Sequence, residues 1–231
     1  MSASTIAGVV LAGGKSRRMN RDKAAILVDG TPQVRRLAGL LAAFCDPVLV
    51  SVAAGGSTRA LYCGLRTVED QIPHAGPLGG IVSAHLACPN AALAVVAVDL
   101  FGLNEEIFEA LLTARQHAAC DCGGPQRCPV AVAVISNDGG PEPLCAIWEP
   151  PLLHAAHDAF MAGARSARSV LRQRYVWLVT PPAGRVRNAN TPDELYEFLC
   201  DTGRLQQKKD KSLHRNDLSD HAPPVGLEPT T

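Results

Sequence analysis

Short apolar runs alternate with stretches of helical character along most of this chain, and this alternation constrains the fold more than any other feature. Continuous apolar runs are typical of parallel strands that are buried on both faces. Strands that alternate with helices predict an open, mostly parallel sheet with helices on both sides. The strand candidates are Ile6–Leu11, Val48–Val52, Ala92–Val98, Val130–Ile135 and Val176–Val179.

The helix candidates lie between these runs and complete the prediction of a three-layer α/β fold. We expect one Rossmann-like domain over residues 1–204, with a short strand near Cys145–Trp148 that pairs antiparallel at one edge of the sheet. Residues 205–231 offer few apolar side chains to bury, which predicts a disordered polar tail. The predicted helices are Gln33–Phe44, Leu78–Ala87, Glu105–His117, Leu152–Met161, Ala167–Arg174 and Asp193–Cys200.

The charge balance limits the classes of partner. The chain carries 22 Lys and Arg residues against 22 Asp and Glu residues. Because nucleic-acid binding needs a basic footprint, this balance argues against a nucleic-acid partner. No apolar run approaches the roughly 20 residues of a membrane span, and the first residues lack the pattern of a signal peptide. We therefore expect a cytoplasmic protein that binds no membrane and whose 8 cysteines are reduced.

A glycine turn loaded with positive charge follows the first apolar run. Gly13 and Gly14 allow a sharp turn and a close approach to a ligand. A strand that runs into such a turn suits a polyphosphate, although it matches neither the Walker A loop nor the dinucleotide fingerprint. The alternative is a strand-to-helix turn with a solvated basic face. The cations are Lys15, Arg17, Arg18, Arg21 and Lys23.

Polar residues follow several of the predicted strands, and we expect them to meet at one edge of the sheet. Ligands of open α/β sheets sit at the carboxyl ends of the strands, where Gly13, Ser51, Asp70 and Asp99 lie. Asp99 ends the most apolar run, and a carboxylate there is costly to bury alone. Since Mg²⁺ prefers oxygen ligands and bridges to phosphates, we predict that Asp99 holds Mg²⁺. The alternatives are a simple strand-ending aspartate and a helix N-cap near Asn104.

Two further segments combine helix starts with groups suited to a ligand. Gly76–Ile81 opens a predicted helix, whose free N–H groups could receive an anion or a base edge. A tight, well-packed turn explains the same glycines equally well. Farther along, Asn188 and Asn190 carry amides that donate and accept at once. The residues after them also form a good helix start, with Thr191 as the N-cap and a glutamate at the third helical position.

One cysteine cluster leaves two interpretations open. Cys120, Cys122 and Cys128, with His117 nearby, could hold a structural zinc ion. Their spacing is not a standard zinc pattern, so free thiols in a loop are the other interpretation.

The glycine turn also resembles a known family signature. Residues 11–23 resemble L-A-G-G-x-S-x-R-M-G-x-D-K, a signature of nucleotidyltransferases and specifically of the molybdenum cofactor guanylyltransferases, with Asn20 where the family usually has glycine. Gly76–Ile81 resembles the family segment G-P-L-x-G, and residues 188–192 match N-x-N-T-P. The family pattern D-x-P-F/Y becomes Asp-Leu-Phe-Gly from Asp99 onward, and the missing proline predicts a looser loop.

The resemblance implies a nucleotidyltransferase or glycosyltransferase-A-like fold and a specific reaction. It implies transfer of GMP from GTP to the terminal phosphate of molybdopterin, with release of pyrophosphate and formation of the guanine dinucleotide cofactor. Proteins that insert molybdenum or mature molybdoenzymes are implied as further partners. The implied nucleotide-binding residues are Leu11, Ala12, Gly13, Gly14, Lys23, Ser51, Asp70 and Asp99. The same resemblance implies Mg²⁺ at Asp99 and the pterin at Asn188 and Asn190.

Such a reaction needs no general base. The attacking oxygen of a phosphate monoester is already ionised near neutral pH, because its second pKa is about 6. Catalysis is then alignment and charge neutralisation. We therefore expect Lys23 and Arg18 to steady the α-phosphate and the leaving pyrophosphate, while Asp99 holds the metal.

Three alternatives remain at this stage. A CTP-dependent molybdopterin cytidylyltransferase uses the same chemistry, although such relatives tend to read L-A-A-G where this chain has Gly13, and the smaller residue leaves room for a purine. A nucleotidyltransferase of the same fold that acts on a sugar or polyol phosphate shares the first motif. Finally, Asn20 and the altered loop after Asp99 would suit a non-catalytic nucleotide-binding protein.

Overall fold

The structure, a computed structural model, describes residues 5–13, 22–70, 72, 75–121, 129–136, 138–172, 174–181 and 188–202. The expectations for Gly14, Arg18, Cys122 and Cys128 lie outside these residues, as does the tail predicted over residues 205–231. The side chain of Cys120 also lies outside them.

Strands and helices alternate along the described residues, as the sequence predicts. Two short 3-10 turns cover Lys23–Ala25 and Ala60–Tyr62. The other elements are β1 (Ile6–Leu11), β2 (Leu27–Val28), β3 (Thr31–Pro32), α1 (Gln33–Ala42), β4 (Val48–Val52), β5 (Thr67–Glu69), α2 (Gly76–Ala87), β6 (Ala92–Ala97), α3 (Glu105–Asp121), β7 (Ala131–Ile135), β8 (Pro141–Trp148), α4 (Pro150–Met161), α5 (Ala167–Arg172), β9 (Val176–Val179) and α6 (Pro192–Asp201).

Seven of these strands form one sheet in the order β5-β4-β1-β6-β8-β7-β9. Neighbouring strands run parallel at four contacts, and β8 alone in this sheet runs antiparallel to its two neighbours, β6 and β7. The short strands β2 and β3 form a separate antiparallel pair. The mostly parallel sheet confirms the predicted fold class.

The position of β8 corrects one prediction. The strand near Cys145–Trp148 is antiparallel, as expected, but it lies inside the sheet rather than at an edge. Cys145 and Ile147 join the core on one face, while Ala146 and Trp148 join the core on the other. Backbone N–H and C=O groups that are buried need hydrogen-bond partners, and those of β8 pair with β6 on one side and with β7 on the other.

Helices cover both faces of the sheet and produce three layers. On one face, Leu37 and Leu41 of α1 and Phe108 of α3 belong to one core cluster. On the other face, Leu78 of α2 and Leu153 of α4 belong to a second cluster, which α5 extends. Full burial of each such side chain contributes about 1.5–3 kcal/mol to folding. The two cores fix the sheet and therefore the edge at which its parallel strands end.

Helix α6 forms a smaller third cluster at that edge. Leu195 and Phe198 of α6 pack with Phe101, Ala189 and Val28. Phe101 follows β6 by a few residues and Ala189 precedes α6, so this cluster brings the end of the domain against the loop after Asp99.

Two further observations concern membranes and thiols. Within the described ranges, no helix combines the length and the apolar character needed to cross a membrane. The cysteines whose side chains are described are free thiols, namely Cys45, Cys63, Cys88, Cys145 and Cys200.

Candidate functional site

The strands β1, β4 and β6 end side by side. Leu11, the last residue of β1, pairs with Ser51 of β4 and with Ala97 of β6. Hydrogen bonds continue this alignment past the strand ends: Ala12 N donates to Ser51 O at 2.8 Å, and Val98 N donates to Leu11 O at 3.2 Å. Gly13 and Asp99 each lie two residues beyond a paired position, so both lie at the same edge of the sheet.

Gly13, Ser51 and Asp70 form the first part of the site. The Ser51 hydroxyl donates to Asp70 Oδ1 at 3.2 Å. A Cβ atom on Gly13 would lie 3.2 Å from the backbone nitrogen of Ala53 and 3.4 Å from Asp70 Oδ2, so glycine is what permits this close approach. Burial raises the pKa of Asp70, and the Ser51 hydrogen bond opposes that shift.

The second glycine segment packs against Ser51 and Asp70. Helix α2 begins at Gly76, whose φ of +68° is a conformation that glycine adopts readily. One turn later, a Cβ atom on Gly80 would lie 2.5 Å from Ser51 Oγ and 3.4 Å from Asp70 Oδ1. Gly80 therefore lets α2 pack directly against the Ser51–Asp70 pair.

Lys23 forms the second part of the site, at the start of a 3-10 turn. Asp22 caps that turn by accepting from Ala24 N at 3.0 Å, and it also pairs with Arg59. The Lys23 side chain is only 11% exposed; its Nζ donates to Asn190 Oδ1 at 2.8 Å and lies 3.6 Å from Asp99 Oδ2. The capped turn thus holds a buried cation beside Asp99.

The asparagine segment reaches this cation from the other end of the domain. Thr191 caps α6 by accepting from Glu194 N at 3.2 Å, and Glu194 Oε2 accepts from Asn190 N at 2.6 Å. The predicted helix start at Thr191 is confirmed. Ala189 N donates to Asp99 O at 3.1 Å, which fastens the segment to the loop after β6. The exposed Asn188 and Asn190 flank this anchor.

Two side chains of α1 support the loop after Asp99, and sequence reasoning missed both. The fully buried Gln33 donates through Nε2 to Val98 O at 3.2 Å. Arg36 donates to Leu103 O at 2.9 Å and to Phe101 O at 3.1 Å. The loop that lacks the family proline is therefore held by hydrogen bonds to its carbonyl groups.

Glu142 is a further acidic residue near Asp99 that the sequence did not single out. It lies at the start of β8, beside the end of β6. Burial raises the pKa of Glu142, and the charge of Asp99 raises it further, while Leu144 N and Arg168 donate to its carboxylate and oppose the shift. The available signal was its place just before the apolar run near Cys145–Trp148, where the sequence predicts a strand.

The residues present suit a divalent cation. No group of three His, Cys, Asp or Glu side chains is arranged to hold a metal among the described residues. Mg²⁺ at phosphates keeps several waters and needs only one or two protein carboxylates, so Asp99, with Glu142 nearby, is a sufficient donor set. His117 of the postulated zinc cluster is an exposed residue of α3.

Comparisons with known proteins give a consistent result. Residues 8–177 match the family model described as the MobA-like NTP transferase domain. The chain is 34% identical over 204 residues to a probable molybdenum cofactor guanylyltransferase of Opitutus terrae, covering 84% of this chain and 94% of that protein. It is 30% identical over 208 residues to the molybdenum cofactor guanylyltransferase of Rhizobium johnstonii, covering 85% and 93%.

A longer relative and a solved structure extend these similarities. The chain is 29% identical over 196 residues to a molybdenum cofactor biosynthesis bifunctional protein of Synechocystis, of which it spans 54%. The molybdopterin-guanine dinucleotide biosynthesis protein A of Archaeoglobus fulgidus has a similar fold, with a TM-score of 0.67 at 19% identity, covering 86% of this chain and 100% of that one. This structural likeness supports the fold described above.

Proposed function

Because this chain belongs to the MobA-like NTP transferase family and to its molybdenum cofactor guanylyltransferase branch, we propose that it transfers GMP from GTP to the terminal phosphate of molybdopterin. Pyrophosphate leaves, and the guanine dinucleotide form of the cofactor is the product. One observation carries the proposal: Gly13, Ser51 and Asp70 lie along the same sheet edge as Lys23 and Asp99.

We assign the guanine edge to the carboxylate of Asp70. An ionised carboxylate only accepts hydrogen bonds. Guanine presents two adjacent N–H donors on its pairing edge, whereas cytosine presents one donor beside a ring lone pair that a carboxylate repels. Since burial raises the pKa of Asp70, donors from a bound base would stabilise its ionised form. Asp70 therefore favours GTP over CTP.

We assign the triphosphate to Lys23, to a cation at Asp99, and to the glycine turn. Leu11 and Ala12 are almost fully buried, so they would contribute backbone atoms rather than side chains. Gly14 and Arg18 belong to the same proposal on the basis of the motif alone. A divalent cation, Mg²⁺ by preference, supplies charge neutralisation on the phosphate oxygens when it is bound. Asp99 would hold it, with Glu142 within reach of the same region.

The transfer itself needs alignment rather than a base. An oxygen of the acceptor phosphate forms a new bond to the α-phosphorus of GTP, the bond from that phosphorus to the bridging oxygen breaks, and pyrophosphate takes the electron pair. The acceptor oxygen is ionised near neutral pH because its second pKa is about 6. Lys23 would balance the charge that develops on the leaving group. Asn188 and Asn190 would face the pterin, whose fused rings carry both donors and acceptors.

We place the reaction in the cytoplasm, where nucleoside triphosphates are supplied. Proteins that insert molybdenum or mature molybdoenzymes would deliver the acceptor or receive the product.

Pyrophosphate release in the presence of molybdopterin tests the proposal. With the wild-type protein we expect GTP to react at least tenfold faster than CTP at equal concentrations, from the loss of one bidentate hydrogen-bonded pair. Asp70→Asn replaces an acceptor-only group with one that both donates and accepts, so it should narrow this preference about tenfold. A wild-type preference for CTP, or for a sugar phosphate as acceptor, would contradict the assignment.

The same assay tests the role of Asp99 by comparing the wild-type protein with an Asp99 variant. Asp99→Ala should lower the rate about a hundredfold or more, because it removes charge stabilisation at the reacting phosphates. Asp158→Asn is the matched control, since Asp158 is an exposed aspartate of α4 whose side chain is 85% accessible. Equal inactivity of wild type and Asp99→Ala with good substrate would favour a non-catalytic nucleotide-binding protein.

A further inference from the structure

The ammonium group of Lys23 is held by a residue that lies 167 positions farther along the chain. Nζ donates to Asn190 Oδ1 at 2.8 Å, while the nearest carboxylate oxygen of Asp99 is 3.6 Å away. The shorter distance joins the lysine to the amide, although the carboxylate carries the opposite charge. Asn190 is therefore part of the environment that sets where this cation lies.

The position of Asn190 does not depend on the lysine. Its backbone N–H donates to Glu194 Oε2 at 2.6 Å, in the first turn of α6. Ala189, its neighbour, is buried in the third core cluster and donates to Asp99 O at 3.1 Å. The amide oxygen is thus presented from a backbone that is fixed on both sides, so it can act as a template for the lysine.

A lysine needs such a template because its ammonium is a point charge on a flexible four-carbon stem. If the amide oxygen were absent, the Asp99 carboxylate would attract the ammonium more closely. A direct Lys23–Asp99 pair would withdraw the cation from an incoming triphosphate and would occupy the carboxylate that we assign to the metal. Asn190 therefore limits how closely the Lys23 ammonium approaches the Asp99 carboxylate, which lies 3.6 Å away.

We propose that Asn190 is a positioning residue for Lys23 and so acts on the GTP side of the reaction, beyond any contact with the pterin. This inference rests on the proposed function, because it assumes that Lys23 binds the triphosphate. The Asn190 carbonyl serves the lysine, which leaves its N–H donors for the acceptor substrate. One side chain then connects the nucleotide with the acceptor.

A double-mutant cycle on GTP binding tests the inference. Calorimetry with GTP and Mg²⁺, in the absence of molybdopterin, measures affinity without turnover. Asn190→Ala should weaken GTP binding about tenfold, the effect of losing one hydrogen bond to a charged group. In a Lys23→Met background the same Asn190→Ala change should have less than a twofold effect, because a residue that acts through Lys23 has nothing left to position.

Asn90→Ala is the matched control, since it removes an exposed amide in the turn before β6, at the end of that strand opposite to Asp99, and it should leave GTP affinity within twofold of wild type. Asn190→Ser removes the same carbonyl with a smaller loss of volume, and it replaces the alanine variant if that variant does not fold. Wild-type GTP affinity in both Asn190 variants would overturn the inference, and so would an equal loss with and without Lys23. A wild-type protein that binds no GTP would instead contradict the proposed function, which separates the two failures.

Discussion

Single glycines shape the proposed nucleotide pocket as much as its side chains do. A Cβ atom on Gly80 would lie 2.5 Å from Ser51 Oγ and 2.9 Å from Leu11 Cδ2, distances that real Cβ atoms do not tolerate. The hydroxyl of Ser51 would have to rotate away, and its hydrogen bond to Asp70 would be lost. The size of residue 80 thus determines the orientation of the carboxylate that we assign to guanine.

Gly80→Ala should therefore weaken GTP binding about tenfold, because it disturbs a hydrogen bond to a carboxylate. The free energy of unfolding should change less than the free energy of GTP binding. Alanine is favoured over glycine inside a helix by up to about 1 kcal/mol, and this gain offsets part of the crowding. Gly39→Ala in α1 is the control: nothing lies within 4 Å of its added Cβ, so it should stabilise the fold and leave GTP affinity unchanged. Calorimetric titration and urea unfolding measure the two effects, and unchanged GTP affinity in Gly80→Ala contradicts the argument.

The sequence predicts some residues of the site and misses others for a physical reason. Ser51, Asp70 and Asp99 could be found because each lies at or just after the end of a strand, and parallel strands end together. Gln33 could not be found in this way, because its partner carbonyl on Val98 lies 65 residues away and accepts from any donor. Glu142 was missed because its nearness to Asp99 depends on the interior position of β8.

At the scale of whole elements, helix α1 supports the loop that carries Asp99. Gln33 and Arg36 lie one helical turn apart, and Gln33 Oε1 accepts from Arg36 Nε at 2.8 Å. Together they reach four backbone carbonyl groups between residues 98 and 103. These hydrogen bonds hold a loop that lacks the family proline. The sequence predicts a looser loop for that reason, and helix α1 compensates for the missing proline.

Gln33→Met tests how much this network contributes to stability and to activity. Methionine keeps a similar unbranched shape but removes the donor to the Val98 carbonyl group, which costs about 1–3 kcal/mol of unfolding free energy. We also expect a drop in the rate of pyrophosphate release, because Asp99 depends on the loop. Urea unfolding and the release assay provide the measurements. Gln116→Met, on the exposed side of α3, is the control, and equal stability of the two variants would contradict the proposed support.

Element boundaries show what apolar pattern alone can specify. Strands β1, β4 and β9 have the predicted bounds because they are short, largely apolar runs. Helix α2 begins at Gly76, two residues before the prediction, since a glycine with positive φ and a proline start it. The order of the strands cannot be predicted in this way. A local apolar pattern indicates that a strand is buried, whereas the place of β8 depends on β6, which is distant in the sequence.

At the scale of the whole molecule, different strands of the sheet supply the residues assigned to the base and the residues assigned to the cation. Strands β4 and β5 carry the groups assigned to the base, and β6 and β8 carry the acids assigned to the cation.

On one face of the sheet, helices α2 and α4 pack together through a pair of histidines, His85 and His154, whose ring centroids are 5.0 Å apart. Nδ1 of His85 is buried, and it has no hydrogen-bond partner among the described residues.

This histidine pair predicts how stability depends on pH. Burial lowers the pKa of His85, and the charges of His154 and His157 on α4 lower it further. The unfolded chain therefore takes up the proton first, so stability is complete above the ordinary histidine pKa of about 6.5 and is lost as the pH falls below it. The loss approaches at most about 1.4 kcal/mol per pH unit for one proton.

Comparison with His85→Leu isolates this contribution. Unfolding free energies of wild type and variant, measured between pH 7.5 and 5, should differ in slope below about pH 6.5, with the variant flatter. Asp70 and Glu142 also have shifted pKa values, but both proteins contain them, so their contributions to the pH dependence cancel in the comparison. Gln116→Leu, at an exposed position of α3, should keep the wild-type slope because it changes no titratable group. Parallel curves for wild type and His85→Leu would contradict the prediction.

The contact between Lys23 and Asn190 has a consequence for biosynthesis. A ribosome releases the glycine turn, the lysine and Asp99 long before it reaches the segment that begins at Asn188, and N-terminal parts of a chain tend to fold first. Until Asn190 emerges, the lysine lacks the amide oxygen to which its ammonium group donates in the folded protein. Only the last tenth or so of the described residues completes the arrangement, so a nascent chain becomes able to handle its nucleotide only after the segment from Asn188 has emerged.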